Sequence, residues 1–218
     1  MCSSDLAGAA VSLSEAIDYH GADALRYFLL REVGFENDGD FTWERFDARY
    51  TSELADTIGN LVSRSLTMIA NYRGAVVPRD PCNYDTPLER AARGALAAYA
   101  SAMDANRVQE GAAQLVALAG AANRYVEETA PYKLAKQSER AAELDSVLAN
   151  LARTVGRLAV LAQPFLPATS QTIWGTLGPS PTQPLENIRL PDVGTLDLAG
   201  RHILKPPILF PKPRAAQA

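Results

Sequence analysis

Apolar residues recur three and four positions apart along most of the chain, the spacing of one buried helix face. This repeat predicts a helix over residues 21–32 and a second that opens at Thr42, a good N-cap residue. A long helix over residues 50–72 follows, and a left-handed Gly74 ends it. The inward stripe predicted for this long helix is Leu54, Ile58, Leu61, Ser65, Met68 and Tyr72.

Further long helices are predicted over residues 85–106, 108–129 and 138–163, and a short fifth over 169–177. Thr86 and Pro87 suit the N-cap and the first position of one helix, and Ala130-Pro131 ends another. Short connections between helices of this length favour antiparallel neighbours. The predicted fold class is therefore all-α, an antiparallel helix bundle with Trp174 in its core.

Composition narrows the class of protein. The chain of 218 residues is 47% hydrophobic, which is typical of a globular protein, and carries a net charge of −4. That charge disfavours a non-specific nucleic-acid binder, but it allows a local basic patch that reads a few bases. Cys2 and Cys82 form no metal spacing or disulfide framework, and His20 and His202 are isolated, so no metal is predicted. With no apolar run long enough to span a bilayer, we expect a cytoplasmic protein.

Asn60 and Arg64 lie one helical turn apart on the predicted solvent face of the long helix. An amide and a guanidinium at this spacing can converge on one planar partner, and each can bond a base edge in more than one place. On spacing alone, a simple solvated helix face is the favoured interpretation.

A second candidate group surrounds Tyr132. Pro131 fixes the chain as it leaves a helix, so the next side chain is held in a defined direction and offers a ring to an unstacked base. The alternative is that Tyr132 only caps the bundle. Asn123 either touches RNA or supports this loop, and Lys133 and Lys136 either hold phosphates or form a solvated basic patch.

Three pieces of the sequence, GADALRYFLLRE, DGDF and GNLVSR, together resemble the methionyl-tRNA synthetases. The first piece recurs loosely in synthetases for other aliphatic amino acids and for cysteine, whereas the combination is more specific. The resemblance implies three regions: a small stem-contact segment over residues 8–49, an anticodon-binding bundle over 50–178 and an extended tail over 179–218. With its supporting catalytic domain absent, we expect the stem-contact segment to be the least stable part and the tail to have little to lie on.

The same resemblance implies roles for individual residues. In the family the residues that match Asn60 and Arg64 contact the anticodon, and the position of Tyr132 usually holds a Trp that stacks on the first anticodon base. The implied partner is methionine tRNA with a CAU anticodon. The parent enzyme charges it with ATP and Mg²⁺, using a catalytic domain that carries a His-Ile-Gly-His-type signature. We expect this chain to lack that domain, to hold no catalytic residue or cofactor, and to be inactive alone. The alternatives are the anticodon domain of another class I synthetase and a stand-alone helical interaction module.

Residues 1–7 do not fit the family pattern. Alignment on Gly8 puts the family's Lys-Met-Ser-Lys-Ser loop, whose lysines stabilise ATP phosphates, on Cys-Ser-Ser-Asp-Leu at residues 2–6. Only Ser4 agrees. We interpret this start as non-native sequence derived from a sequencing adapter, and the alternative is a divergent loop.

Overall fold

The computed structural model describes residues 12–32, 41–80, 85–178 and 184–211, and most of these residues are helical. The described residues contain no β-strand, only an isolated bridge between Val76 and His202. The predicted all-α fold class is confirmed. The elements in chain order are α1 (Leu13–His20), α2 (Ala22–Glu32), α3 (Trp43–Arg49), a π-helical segment (Tyr50–Gly59), α4 (Asn60–Arg73), α5 (Pro87–Asp104), α6 (Val108–Thr129), α7 (Pro131–Leu134), a 3₁₀ turn (Ser138–Arg140), α8 (Ala141–Ala162), α9 (Pro167–Thr176) and 3₁₀ turns at Leu185–Asn187 and Leu190–Thr195.

Local chemistry sets the helix ends. The Thr42 hydroxyl accepts a hydrogen bond from the Arg45 amide at 3.2 Å, and the Thr86 hydroxyl accepts one from the Glu89 amide at 3.2 Å. Each bond satisfies an amide that the first helical turn leaves unpaired. Gly74 ends α4 in the left-handed region, with φ of 58°. The three predicted caps are therefore confirmed.

The N-terminal helices dock onto the far end of the chain. The Asp23 carboxylate of α2 accepts hydrogen bonds from the backbone amides of Ala168 and Thr169, at 3.4 and 2.6 Å. These amides open α9, where a negative charge is favoured by the helix dipole. The Arg26 Nε atom donates to the Pro164 carbonyl at 2.8 Å. Residues 12–32 thus pack against the bundle itself.

One continuous helical rod runs from α3 through the π-helical segment into α4. The predicted stripe lies on its inner side: Leu54, Ile58, Leu61 and Ser65 are buried, while Met68 and Tyr72 are partly buried. The boundary predicted between residues 49 and 50 falls inside this rod. The division of the chain at that point stays a prediction.

Helix α8 is the centre of the molecule. Its residues 147–162 are buried on every side of the helix, not only along the predicted apolar stripe. Two arginines of this helix pair with one carboxylate of α5. Glu89 lies 2.8 Å from Arg153 Nε and 2.8 Å from Arg157 Nη2. Asp80 contacts Arg153 Nη2 at 3.0 Å. We call these four residues the buried ion network.

The C-terminal segment, residues 184–211, folds back over the bundle, so the expectation that the tail has little to lie on was wrong. Its backbone bonds to the loop after α4, with the Gly200 amide donating to Val77 and the Ile203 amide to Ala75, both at 2.8 Å. Arg157 donates to the Val193 carbonyl at 3.2 Å. The apolar residues of this segment follow no regular period, but six of them are buried: Leu185, Ile188, Val193, Leu198, Ile203 and Phe210.

Some features of the sequence analysis concern residues outside the described ranges. Residues 33–40, which include most of the DGDF piece, lie outside the described residues, and α2 ends just before them at Glu32. The proposed non-native start lies outside them as well. None of the helices in the described ranges is both long enough and apolar enough to cross a membrane.

Candidate nucleic-acid interface

Asn60 and Arg64 lie at the start of α4, one turn apart, and both are exposed. Their neighbours Leu61, Val62 and Ser65 are buried in the bundle. The rod therefore presents the amide and the guanidinium away from the core, as the sequence pattern predicted. This pair forms the first part of the candidate interface.

Asn60 directly follows the π-helical segment, which the sequence pattern did not reveal. The Asn60 amide bonds the carbonyl of Ala55, five residues back, and the Thr57 hydroxyl donates to the carbonyl of Ser52 at 2.6 Å. Hydrogen bonds over five residues widen the helical turn. Short π-helical turns of this kind are frequent at functional sites. Nothing in the composition of this segment distinguishes it from an ordinary α-helix.

A charged cluster anchors the N-terminal half of the π-helical segment. The Glu53 carboxylate accepts a hydrogen bond from the Tyr27 hydroxyl at 2.6 Å and from Arg49 Nη1 at 2.7 Å, and Arg31 lies 3.5 Å away. Burial raises the pKa of Tyr27, and the adjacent Glu53 charge raises it further. The phenol therefore stays protonated and remains a donor to Glu53.

Asn123 lies on α6, partly buried against the rod. Its Nδ2 atom donates to the Thr57 carbonyl at 3.1 Å, and its Oδ1 atom is buried without a hydrogen-bond partner. Of the two roles that the sequence left open, this contact supports the structural one. The supported element is the rod that carries Asn60, not the loop around Tyr132.

Tyr132 lies on the short helix α7, with 52% of its surface exposed. Ala130 ahead of it has a φ of 44°, and the buried residues Pro131 and Leu134 hold the turn on either side. The Lys133 ammonium is 6.0 Å from the centre of the Tyr132 ring. Lys133 and Lys136 are both exposed. The buried neighbours thus anchor the backbone of Tyr132, while its ring is exposed to solvent and has the Lys133 ammonium beside it.

Two contacts connect the rod, which carries Asn60 and Arg64, to the elements on either side of α7, which carries Tyr132. Arg73, at the end of α4, donates from Nη2 to the carbonyl of Ala141 at 3.1 Å. Ala141 opens α8 seven residues after Leu134, the last residue of α7. The end of α4 therefore lies against the start of α8, and the contact between Asn123 and Thr57 joins the rod to α6, the helix that leads into α7.

The two histidines have structural surroundings. His20 Nε2 lies 2.6 Å from Asp47 Oδ1, and the imidazole stacks on the Tyr50 ring with 3.7 Å between ring centres. His202 lies in the bridge to Val76. Across the described ranges, His, Cys, Asp and Glu side chains form no group of three that could hold a metal ion.

Comparison with known protein families identifies the class of protein to which this fold belongs. A model described as the anticodon binding domain of methionyl tRNA ligase matches residues 79–217, and one described as class I tRNA synthetases (M) matches residues 2–66. The fold and the matches together define a class I aminoacyl-tRNA synthetase region that ends in a helical anticodon-binding domain. More particularly, the chain belongs to the methionyl-tRNA synthetase family. The predicted family is therefore confirmed, and a synthetase for another amino acid is disfavoured.

Individual relatives agree with this assignment. The methionine–tRNA ligase of Enterococcus faecalis is 37% identical over 183 residues, which are 82% of this chain and 27% of the relative. That of Caldanaerobacter subterraneus is 35% identical over 94% of this chain and 32% of the relative. The free-state crystal structure of Mycobacterium tuberculosis methionyl-tRNA synthetase superimposes with a TM-score of 0.84 at 29% identity, covering 94% of this chain and 42% of that one. The chain thus spans about a third of the length of these relatives.

Proposed function

We propose that this chain recognises the CAU anticodon of methionine tRNA as part of a methionine–tRNA ligase. The observation that carries the proposal is the exposed pair of Asn60 and Arg64 on a rod whose other face is buried. Both side chains can make paired hydrogen bonds to a base edge, and one turn of helix lets them reach adjacent bases. The match to an anticodon-binding domain over residues 79–217 includes Tyr132 but not Asn60 or Arg64, so it supports anticodon binding by the bundle that the rod joins.

Tyr132 supplies the stacking surface in this proposal. Base–aromatic stacking contributes ~1–3 kcal/mol per base, and about half of Tyr132 is exposed for such a contact. A Tyr offers less ring area than a Trp, so we place its contribution at the lower end of that range. Lys133 and Lys136 add attraction for the phosphates beside the stacked base.

The whole enzyme would charge tRNA with methionine in an ATP- and Mg²⁺-dependent reaction in the cytoplasm. The Mycobacterium tuberculosis relative has also been solved bound by methionyl-adenylate, and that structure matches 89% of this chain. In our proposal the ATP chemistry belongs to the part of the relatives that this chain does not match. The described residues offer no metal-binding cluster, so we assign them no step of that reaction. The 218-residue chain would bind tRNA without charging it.

The test is binding of the 218-residue chain to methionine tRNA and to the same tRNA with an altered anticodon. We expect tighter binding to the CAU form, and we expect Asn60→Ala and Arg64→Ala each to reduce the difference. Arg107→Ala is the matched control, since this exposed arginine precedes α6 at the end away from α7. Equal affinity for the two tRNAs would refute anticodon recognition. Unchanged binding in both variants would favour the stand-alone interaction module.

A further inference from the structure

The ten-residue π-helical segment determines where Asn60 and Arg64 point. Such bonding is rare and usually lasts a single turn, so a run of this length needs support from outside the helix. A slip of one residue, from bonds over five residues to bonds over four, rotates everything that follows by about 100° around the helix axis. That rotation would turn Asn60 and Arg64 away from their present direction. The register of the segment is therefore part of the candidate interface.

The first outside support is Asn123. The Thr57 carbonyl can only accept a hydrogen bond, so the amide of Asn123 must present its nitrogen to it. This orientation leaves Oδ1 buried and unpaired, which disfavours folding. The Thr57 carbonyl, which also accepts from the Asn60 amide, thus receives a second hydrogen bond from Asn123, whose own Oδ1 atom has no partner.

The second outside support is Phe210 of the C-terminal segment, which is 8% exposed. Its ring meets the Tyr50 ring edge to face, with 6.0 Å between centres, and it also covers Gly59, where an added Cβ would lie 3.1 Å from Phe210 Cδ2. Tyr50 and Gly59 are the first and last residues of the π-helical segment. The Tyr50 hydroxyl also donates to the Pro211 carbonyl at 2.8 Å. One aromatic side chain therefore packs against both ends of the segment.

We propose that Asn123 and Phe210 are positioning residues for anticodon recognition, which hold the π-helical segment in the register that presents Asn60 and Arg64. The inference rests on the function proposed above. Neither residue needs to touch RNA, because each acts through the rod. The C-terminal segment thereby contributes to recognition from residues more than a hundred positions away in the sequence.

The test uses Asn123→Ala and Phe210→Ala in the 218-residue chain. For each variant, the ratio of affinities for the CAU tRNA and the altered tRNA is measured beside the thermal midpoint. We expect the ratio to fall about tenfold, the effect of losing one base contact, and Phe210→Leu to restore most of it. Phe165→Ala is the matched control, since this buried Phe packs near Tyr99 and Gly111, away from the π-helical segment. It should lower the midpoint and keep the ratio.

A second measurement separates this proposal from the proposed function. Hydrogen exchange of the backbone amides over Tyr50–Gly59 should accelerate in both variants and stay unchanged in Phe165→Ala. Unchanged exchange in both variants, or an unchanged affinity ratio in folded variants, would overturn the positioning role. If the wild-type chain binds the two tRNAs equally well, the proposed function is refuted. Hydrogen exchange still reports whether Asn123 and Phe210 hold the π-helical segment in place. Asn123→Ala carries the test alone if Phe210→Ala does not fold.

Discussion

Replacing Glu89 by glutamine removes one charge from the buried ion network and leaves the side-chain volume almost unchanged. Glu89 is 1% exposed and touches both Arg153 and Arg157. With Asp80, the network has two carboxylates and two guanidinium groups, so its net charge is zero. The variant therefore leaves one positive charge uncompensated in the centre of the protein.

The expected cost follows from this burial. Breaking a buried ion pair by removing one partner destabilises a protein by about 3–5 kcal/mol, because the remaining charge has lost its solvent and its partner. Total stabilities are only about 5–15 kcal/mol, so Glu89→Gln should remove a large share of the free energy of unfolding. For a chain of this length, ~3–5 kcal/mol corresponds to a fall of roughly 6–20 °C in the thermal midpoint.

The assay is urea denaturation followed by far-ultraviolet circular dichroism, with Asp85→Asn as the control. Asp85 pairs with Arg90 at 3.0 Å, but its side chain is 77% exposed, so its loss should cost less than ~1 kcal/mol. A loss for Glu89→Gln no larger than that of the control would refute the reasoning. Replacing the network as a whole with apolar residues of similar volume should cost far less than the single change.

Three further predictions follow from single side chains. Tyr132→Ala should weaken binding to the CAU tRNA by ~1–2 kcal/mol, measured by fluorescence anisotropy, without lowering the thermal midpoint. Tyr132→Trp should bind at least as tightly as wild type, and wild-type affinity in the Ala variant would contradict the stacking role. Gly59→Ala should cost ~1–3 kcal/mol in urea denaturation, because its Cβ would displace the Phe210 ring, and a neutral result would show that the ring is free to move. Burial raises the pKa of Tyr99 to about 12, above the ~10 of an unfolded chain, so stability should fall as the pH rises from 10 to 12. Tyr99→Phe should make that fall shallower in urea midpoints measured across this range, although it also removes the 3.1 Å bond to Leu161; an equally steep fall would assign the effect to other groups.

Sequence alone predicts the elements whose causes are local. Thr42 and Thr86 cap their helices through bonds to amides three residues away, and Gly74 needs only its own freedom to adopt positive φ. The π-helical segment could not be predicted this way, because the contacts around it come from Asn123 and Phe210. Its register is a property of the assembled bundle.

The buried ion network shows the same limit. Arg153 and Arg157 are four residues apart, a spacing that suggests a solvated face, and they are buried because carboxylates distant in the sequence neutralise them. Of the candidate site, helical spacing indicated only that Asn60 and Arg64 share an exposed side. Their proposed roles, and that of Tyr132, depended on the resemblance to a family, since many solvated helices carry the same residue types.

The contact between Asp23 and the start of α9 bears on how the chain is made. The carboxylate and the amide that it caps are 146 positions apart. At a synthesis rate of about 5–20 residues per second, α2 would wait roughly 7–30 s on the ribosome before Thr169 exists to receive it. During that interval α2 can already pack on α3 and the π-helical segment, but the Asp23 carboxylate still lacks the amides that it caps in the folded protein. The synthesis of α9 thus supplies the final contact that fixes the N-terminal end of α2.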